Sequence, residues 1–241
     1  MQKIDYDATI REVMLGGSTS SACPGCAAVL TVEQPWCRAC ADRRADEWKR
    51  GEARRLVDEA WAVTVGTIPD WPWARFSNAE WTEGRNAACL SAARAWQPTG
   101  GMLLMGPTAQ GKSSALVARL HELRRLAAGA VIDRGEATLT PVVWVTEQDL
   151  VAAVRVHPLG RGECPALREA KSARALIIDE MGPAGAKALM FDVINARYHR
   201  GLCTTVTTGR TYDQFMLTYG DAMVRRILTG GVLVDLHGGA S

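Results

Sequence analysis

The chain has 241 residues, room for one α/β domain and a small appendage. Its 47% hydrophobic and 22% charged residues are ample for a core and ordinary for a soluble protein. A net charge of +2 excludes a global basic field, so any contact with nucleic acid must be local. No apolar run approaches ~18 residues and the opening "MQKIDYDATIREVM" lacks a signal-peptide core; no membrane partner is expected, and a cytoplasmic location is.

The first informative stretch is "CPGCAAVLTVEQPWCRAC", two C-x-x-C knuckles separated by ten residues. Each knuckle can chelate with both sulfurs, and the intervening residues suffice for a short hairpin that brings the pairs together. Cys23, Cys26, Cys37 and Cys40 then make a closed tetrahedral Zn²⁺ site, structural because no coordination position is left for substrate. A redox C-x-x-C is the rival, but that motif usually stands alone beside a βαβ pattern. About twenty residues cannot build an adequate apolar core, so the metal is expected to hold the module folded. The remaining cysteines, Cys89, Cys164 and Cys203, are scattered and read as small buried apolar residues.

Residues 41–63 read as a helix carrying Arg43, Arg44, Lys49, Arg50, Arg54 and Arg55, with interspersed acids. It is either a solvated linker helix or a basic face for DNA. In "TIPDWPWARF" prolines stop the helix, and the tryptophans either anchor an ordered connection or pack against a nucleotide base. "NAACLSAARAW" is a helix leading into an apolar strand, Leu103 to Met105.

Gly106, Pro107, Thr108, Ala109, Gln110, Gly111, Lys112 and Ser113 satisfy G-x-x-x-x-G-K-[ST], and Ser114 opens a helix predicted to reach Ala128. Strand, wrapped loop and helix N-terminus place backbone N–H groups around a polyphosphate, where the helix dipole also favours negative charge. Lys112 reaches the β- and γ-phosphates of ATP, and Ser113 ligates Mg²⁺. A strand at 141–145 and a helix from Gln148 to Val156 follow, then "ALIIDE", Ala175 to Glu180. Four apolar residues ending in paired acids are what a Walker B strand requires. Asp179 holds Mg²⁺ through water or Ser113, and Glu180 activates the attacking water. The strand between the P-loop and "ALIIDE" implies an additional strand beside the P-loop strand, with a polar sensor at its tip. A helix at 184–199 and strands at 203–209 and 232–236 complete five strands alternating with helices, a parallel αβα sandwich. The four histidines share no ligand spacing and read as structural.

In this order, "GPTAQGKSS", "ALIIDEMG", "VINARYHRGLCTTVTTG" and "GDAMVRRILTGGVLVDLHGGAS" resemble the DnaC/IstB group of AAA+ ATPases over residues 67–241. The four-cysteine front is similar to that of several DnaC-like helicase loaders. The resemblance implies a zinc module at 1–42, a basic linker helix at 43–66 and an AAA+ ATPase domain at 67–241. It implies self-association through ATP interfaces, with Arg226 as the arginine finger on a neighbour's γ-phosphate; Arg225 is adjacent. The implied partners are a hexameric replicative DNA helicase and single-stranded DNA, with Arg155, Arg161, Arg168 and Lys171 as candidate phosphate contacts.

Two features depart from the family. Thr208 and Gly209 stand where a Ser/Thr-Asn pair normally ends the fourth strand, so Thr207 or Thr208 must substitute for the asparagine or hydrolysis is slow. The sequence ends at Ser241, straight after the fifth strand, which leaves no room for a helical lid. Two other readings stay open: an IstB-like transposition helper, and a zinc-anchored adaptor that binds ATP with little hydrolysis.

Overall fold

A computed structural model describes residues 22–28, 36–64, 68–134, 140, 142–158, 160–182 and 184–238. Most of the hairpin expected between the two cysteine knuckles, and residues 1–21 of the expected front module, lie outside the described residues. The chain divides into two compact units, Met1–Ala60 with Arg124–Leu139, and Trp61–Leu123 with Thr140–Ser241.

The larger unit is built on five parallel strands: β1 (Gly101–Met105), β2 (Val142–Thr146), β3 (Ala175–Asp179), β4 (Thr204–Thr208) and β5 (Gly231–Asp235). Their spatial order is β2-β3-β4-β1-β5. β4 is thus the additional strand beside the P-loop strand, pairing Leu104 with Thr207 on one side and Ile178 with Val206 on the other. β1, β3 and β4 are buried along their whole length. That is why they read as continuous apolar or β-branched runs: in a parallel sheet covered on both faces no alternation is needed. This is the five-stranded parallel αβα sandwich expected from the sequence.

The first helix, α1 (Arg38–Thr64), belongs mostly to the smaller unit; in the larger one, helices cover both faces of the sheet: α2 (Ala79–Glu83), α3 (Ala87–Ala95), the first half of α4 (Lys112–Arg134), α5 (Glu147–Val156), α6 (Pro165–Ser172), α7 (Lys187–His199), α8 (Tyr212–Tyr219) and α9 (Asp221–Leu228). One sheet face packs Leu103, Val145, Ile178 and Val206 against Leu150, Leu167, Val193, Phe215 and Ile227. The other packs Leu104, Trp144 and Ile177 against Trp81, Cys89, Trp96, Leu116 and Leu120. Each large apolar side chain so buried contributes about 1.5–3 kcal/mol, which sets the sheet as the stable frame for the loops at its carboxyl edge.

Two polar devices tighten this frame. Arg197, fully buried on α7, donates Nε to Thr204 Oγ1 (2.9 Å), Nη1 to the carbonyls of Ala170 (2.8 Å) and Ala173 (2.7 Å), and Nη2 to the carbonyl of Cys203 (2.5 Å). One guanidinium therefore joins α6, α7 and the start of β4, and burial pulls its pKa down to about 10. Capping boxes start α5 (Thr146 with Asp149) and α8 (Thr211 with Gln214).

Several element bounds differ from those read in the sequence. α4 runs from Lys112 to Arg134 rather than from Ser114 to Ala128. α7 begins at Lys187, not 184, and the N–H groups of Ala184 and Ala186 just before it are bound by the Glu147 carboxylate. The short helices α2, α6, α8 and α9 are additions.

In the smaller unit, Val57 and Ala53 of α1 pack on Val131 of α4. Part of the basic character of α1 is neutralised locally: Arg55 pairs with Glu52 (2.5 Å) and Glu59 (2.6 Å), and Arg124 with Asp58 (2.5 Å). Exposed pairs of this kind are screened by water and contribute little, so they matter here for charge rather than for stability.

Candidate functional site

The loop between β1 and α4 wraps because three of its residues adopt backbone angles that ordinary residues avoid. Gly111 has φ +86° and Ala109 φ +70°, while a Cβ on Gly106 would come within 2.7 Å of Leu236 Cβ. The Lys112 ammonium, nearly buried, donates to the carbonyls of Gly106 (2.6 Å) and Pro107 (2.8 Å). Burial lowers its pKa, and the nearby Cys89, Asp179 and Glu180 partly offset that. A cation is thus held at the mouth of a loop whose N–H groups open a helix, an arrangement suited to phosphate.

Asp179 ends β3 next to that loop. Its Oδ1 accepts from Ser113 Oγ at 2.7 Å and from Thr207 Oγ1 at 2.5 Å. Ser113 Oγ and Asp179 Oδ1 are hard oxygen donors side by side, a pair that would suit Mg²⁺. Glu180 follows with φ +54° and gives its backbone N–H to Thr207 Oγ1 at 3.0 Å. The structure therefore separates the two threonines offered as sensors. Thr207 touches both acids, whereas Thr208 Oγ1 donates to the Met181 carbonyl at 2.6 Å.

Lys112, Ser113, Glu180, Thr207 and Thr208 line one cleft of ≈ 460 Å³ that also includes Thr108, Ser114, Gly209, Arg85, Trp71 and Trp73; Asp179 does not line it and meets it through Ser113 and Thr207. Arg85 donates Nη1 to the Ala109 carbonyl at 3.1 Å and so braces the loop from α2's side. Trp71 and Trp73 are stacked with ring centroids 5.7 Å apart, and Trp73 is 45% exposed. Gly106, Pro107 and Gln110 belong to the loop without lining the cleft.

Arg226 is not in this cleft. Its Nε donates to Asn195 Oδ1 (2.9 Å) and Nη1 to the Ala222 carbonyl (2.8 Å), with the guanidinium over the rings of Phe191 and Tyr198. Arg225 is the more exposed neighbour and pairs with Asp221 at 2.9 Å. Of the cations considered for nucleic acid, Arg155 and Arg161 are exposed. Lys171 is held between Glu163 (2.7 Å) and Asp192 (2.5 Å), and two carboxylates leave it little attraction for a phosphate.

The second site lies in the smaller unit. The Sγ atoms of Cys23, Cys26, Cys37 and Cys40 all lie within 4.8 Å of one another. Tetrahedral zinc with Zn–S of about 2.3 Å needs sulfurs a little under 4 Å apart, so the cluster fits that ion with small adjustments. Cys37 precedes α1 and Cys40 sits in its first turn, which fixes the second knuckle. At Cys23 burial opposes the thiolate, but the backbone N–H groups of Cys37, Gly25 and Cys26 outweigh it and bring the pKa down to about 6. Cys40 is pushed up to about 12 by its hydrogen bond with Cys26 and by burial. Arg43 Nη2 donates to Cys40 Sγ at 3.3 Å, a supporting contact of the sort that orients ligands.

Cys89 and Cys164 are buried, as expected, while Cys203 is only partly so. Sequence reasoning missed Arg85, Glu147 and Tyr219. None sits in a motif, and each meets its partners only through the fold.

No protein-family model matches the chain, and no curated protein matches it. Among solved structures it is similar to the DnaC helicase loader, at 15% identity and TM-score 0.45 over 65% of this chain and 98% of that one. It is similar to AMPPCP-bound DnaA from Aquifex aeolicus, at 21% identity and TM-score 0.47 over 70% of this chain and 51% of that one. It is also similar to domain III of the replication initiation protein DnaA from Thermotoga maritima, at 18% identity and TM-score 0.45 over 70% of this chain and 69% of that one.

Proposed function

We propose that the protein is an ATP-driven loader of a hexameric replicative DNA helicase, of the DnaC type. The observation that carries the ATPase part is that Lys112, Ser113, Glu180 and Thr207 line one cleft at the carboxyl edge of the sheet, with Asp179 bonded to both Ser113 and Thr207. In this reading Lys112 leaves its loop carbonyls for the β- and γ-phosphates. Ser113 and Asp179 hold Mg²⁺, which when bound neutralises phosphate charge, and Glu180 takes a proton from the attacking water. Thr207 replaces the missing asparagine by fixing Asp179 and the Glu180 backbone together. The adenine meets the exposed face of Trp73, which offers a stacking surface beside the cleft.

The loader assignment rests on the sequence motifs shared with the DnaC/IstB group and on the four-cysteine front. Residues 1–42 are the zinc module that grips the helicase, 43–66 the linker helix and 67–241 the ATPase. ATP between protomers orders an assembly around single-stranded DNA, with Arg155 and Arg161 as phosphate contacts. Arg226 reaches a neighbour's γ-phosphate only by exchanging its bonds to Asn195 and Ala222, so assembly and release of that arginine go together. An adaptor with little hydrolysis is the second reading, and Gly209 in the cleft is the observation that favours it.

A pull-down tests the partner. The full-length protein with its metal is expected to retain the purified hexameric helicase of its own host in the presence of ATP. No retention with any nucleotide would remove the loader assignment and leave the adaptor.

A further inference from the structure

The tip of β2 carries a buried carboxylate that the hydrolytic reading does not use. Glu147 has no solvent exposure. It is the first residue of α5 yet does not cap that helix, because Thr146 and Asp149 already do so. Its side chain turns instead to the segment that follows Glu180. Oε2 accepts from the backbone N–H of Gly182 (2.8 Å) and Ala184 (3.2 Å). Oε1 accepts from the N–H of Ala186 (2.8 Å) and from the Tyr219 hydroxyl (2.9 Å). Four donors and no acceptor suit a group that only accepts, and they offset the cost of burying it.

What these bonds hold is the backbone immediately beyond the paired acids. Glu180, with φ +54°, is in the left-handed region, where a non-glycine residue stays only if its surroundings fix it. From β4, Thr207 binds the Glu180 N–H through Oγ1 and the Met181 N–H through its carbonyl. From the start of α5, Glu147 binds the next N–H, that of Gly182, whose carbonyl also accepts from Arg210 Nη2 at 2.9 Å. The strained residue is therefore bracketed on both sides, and Glu147 supplies the second bracket.

We propose that Glu147 is a positioning residue for hydrolysis, aiming the Glu180 carboxylate by fixing the N–H groups of Gly182, Ala184 and Ala186. The proposal rests on the reading of Glu180 as the base. Glu147 does not line the nucleotide cleft, so its removal acts on the reaction step and not on binding.

The test compares Glu147→Gln, Tyr219→Phe and Glu180→Gln in the full-length protein, assayed well below each variant's melting temperature. Glutamine keeps the shape but turns one acceptor oxygen into a donor facing donors. Glu147→Gln is expected to lower kcat by about ten- to a hundredfold with KM and ATP affinity within about threefold, since small misplacement of a reacting group has effects of that size. Tyr219→Phe removes one donor of four, and kcat should fall about two- to fivefold at constant KM. It decides the matter if the glutamine variant does not fold. A purely structural carboxylate would lower the melting temperature and leave kcat alone. Parent-rate turnover in the Glu147 and Tyr219 variants, with turnover lost in Glu180→Gln, overturns the positioning role. Parent-rate turnover in Glu180→Gln overturns the base assignment beneath it.

Discussion

Glu180→Gln is expected to stop turnover and leave ATP bound. The substitution keeps the size of the side chain and leaves Ser113 and Asp179, the proposed Mg²⁺ ligands, in contact. It removes the proposed base, and a positioned base is worth about 10²–10⁴-fold in rate. Lys112→Ala is the complementary case. It deletes a charged donor that faces the phosphates, worth about 1.5–3 kcal/mol, so affinity should fall by about ten- to a hundred-and-fifty-fold. Phosphate release measures the first effect, and equilibrium binding of a fluorescent ATP analogue the second. Parent-rate hydrolysis by Glu180→Gln would show that another group activates water. Unchanged affinity in Lys112→Ala would remove the loop from the site.

The second large effect concerns the metal. Structural zinc contributes about 10–16 kcal/mol of apparent binding energy to small cysteine modules. The described apolar contacts of this unit, Val57 and Ala53 on Val131, offer far less at about 1.5–3 kcal/mol for a large side chain. Replacing Cys23 and Cys26 together with Ser is therefore expected to release about one zinc per chain and to unfold the region around the knuckles. ATP should still bind, because every residue of the cleft belongs to the other unit. Zinc release by a chromogenic chelator and protease sensitivity near Cys40 report the outcome. A folded, zinc-free parent protein, or loss of ATP binding in the variant, would contradict the two-site account.

Much of the site was legible because its residues sit in short local patterns. The loop from Gly106 to Ser113 and the acids after "ALII" announce themselves by spacing, as do the paired cysteine knuckles. The strand counted between the two motifs is β2, which lies at the sheet edge beside β3, and the additional strand it implied beside β1 is β4. What stayed hidden depends on pairs far apart in sequence. Glu147 resembles any acid favoured in the first turn of a helix, and only the fold brings the segment after Glu180 and Tyr219 to it. Arg197 looks like a surface cation near a helix end, yet it is buried among the carbonyls of Ala170, Ala173 and Cys203, at the end of α6 and the start of β4. Lys171 looked available for phosphate until Asp192 came into contact with it. The choice between Thr207 and Thr208 turned on which side of a strand end faces Asp179, and composition does not show that. The short helices α2, α6, α8 and α9 escaped because one or two turns carry too little periodicity to stand out.

The claim at the centre, that ATP bound in this cleft places a helicase on DNA, is tested most directly by loading onto a closed circle. The purified hexameric helicase of the same host is mixed with circular single-stranded DNA carrying an annealed labelled oligonucleotide, and displacement of the label is followed. With this protein and ATP, displacement should rise well above that of the helicase alone, and Lys112→Ala should fail to support it. Equal displacement with and without the protein, or full support by Lys112→Ala, would contradict the account.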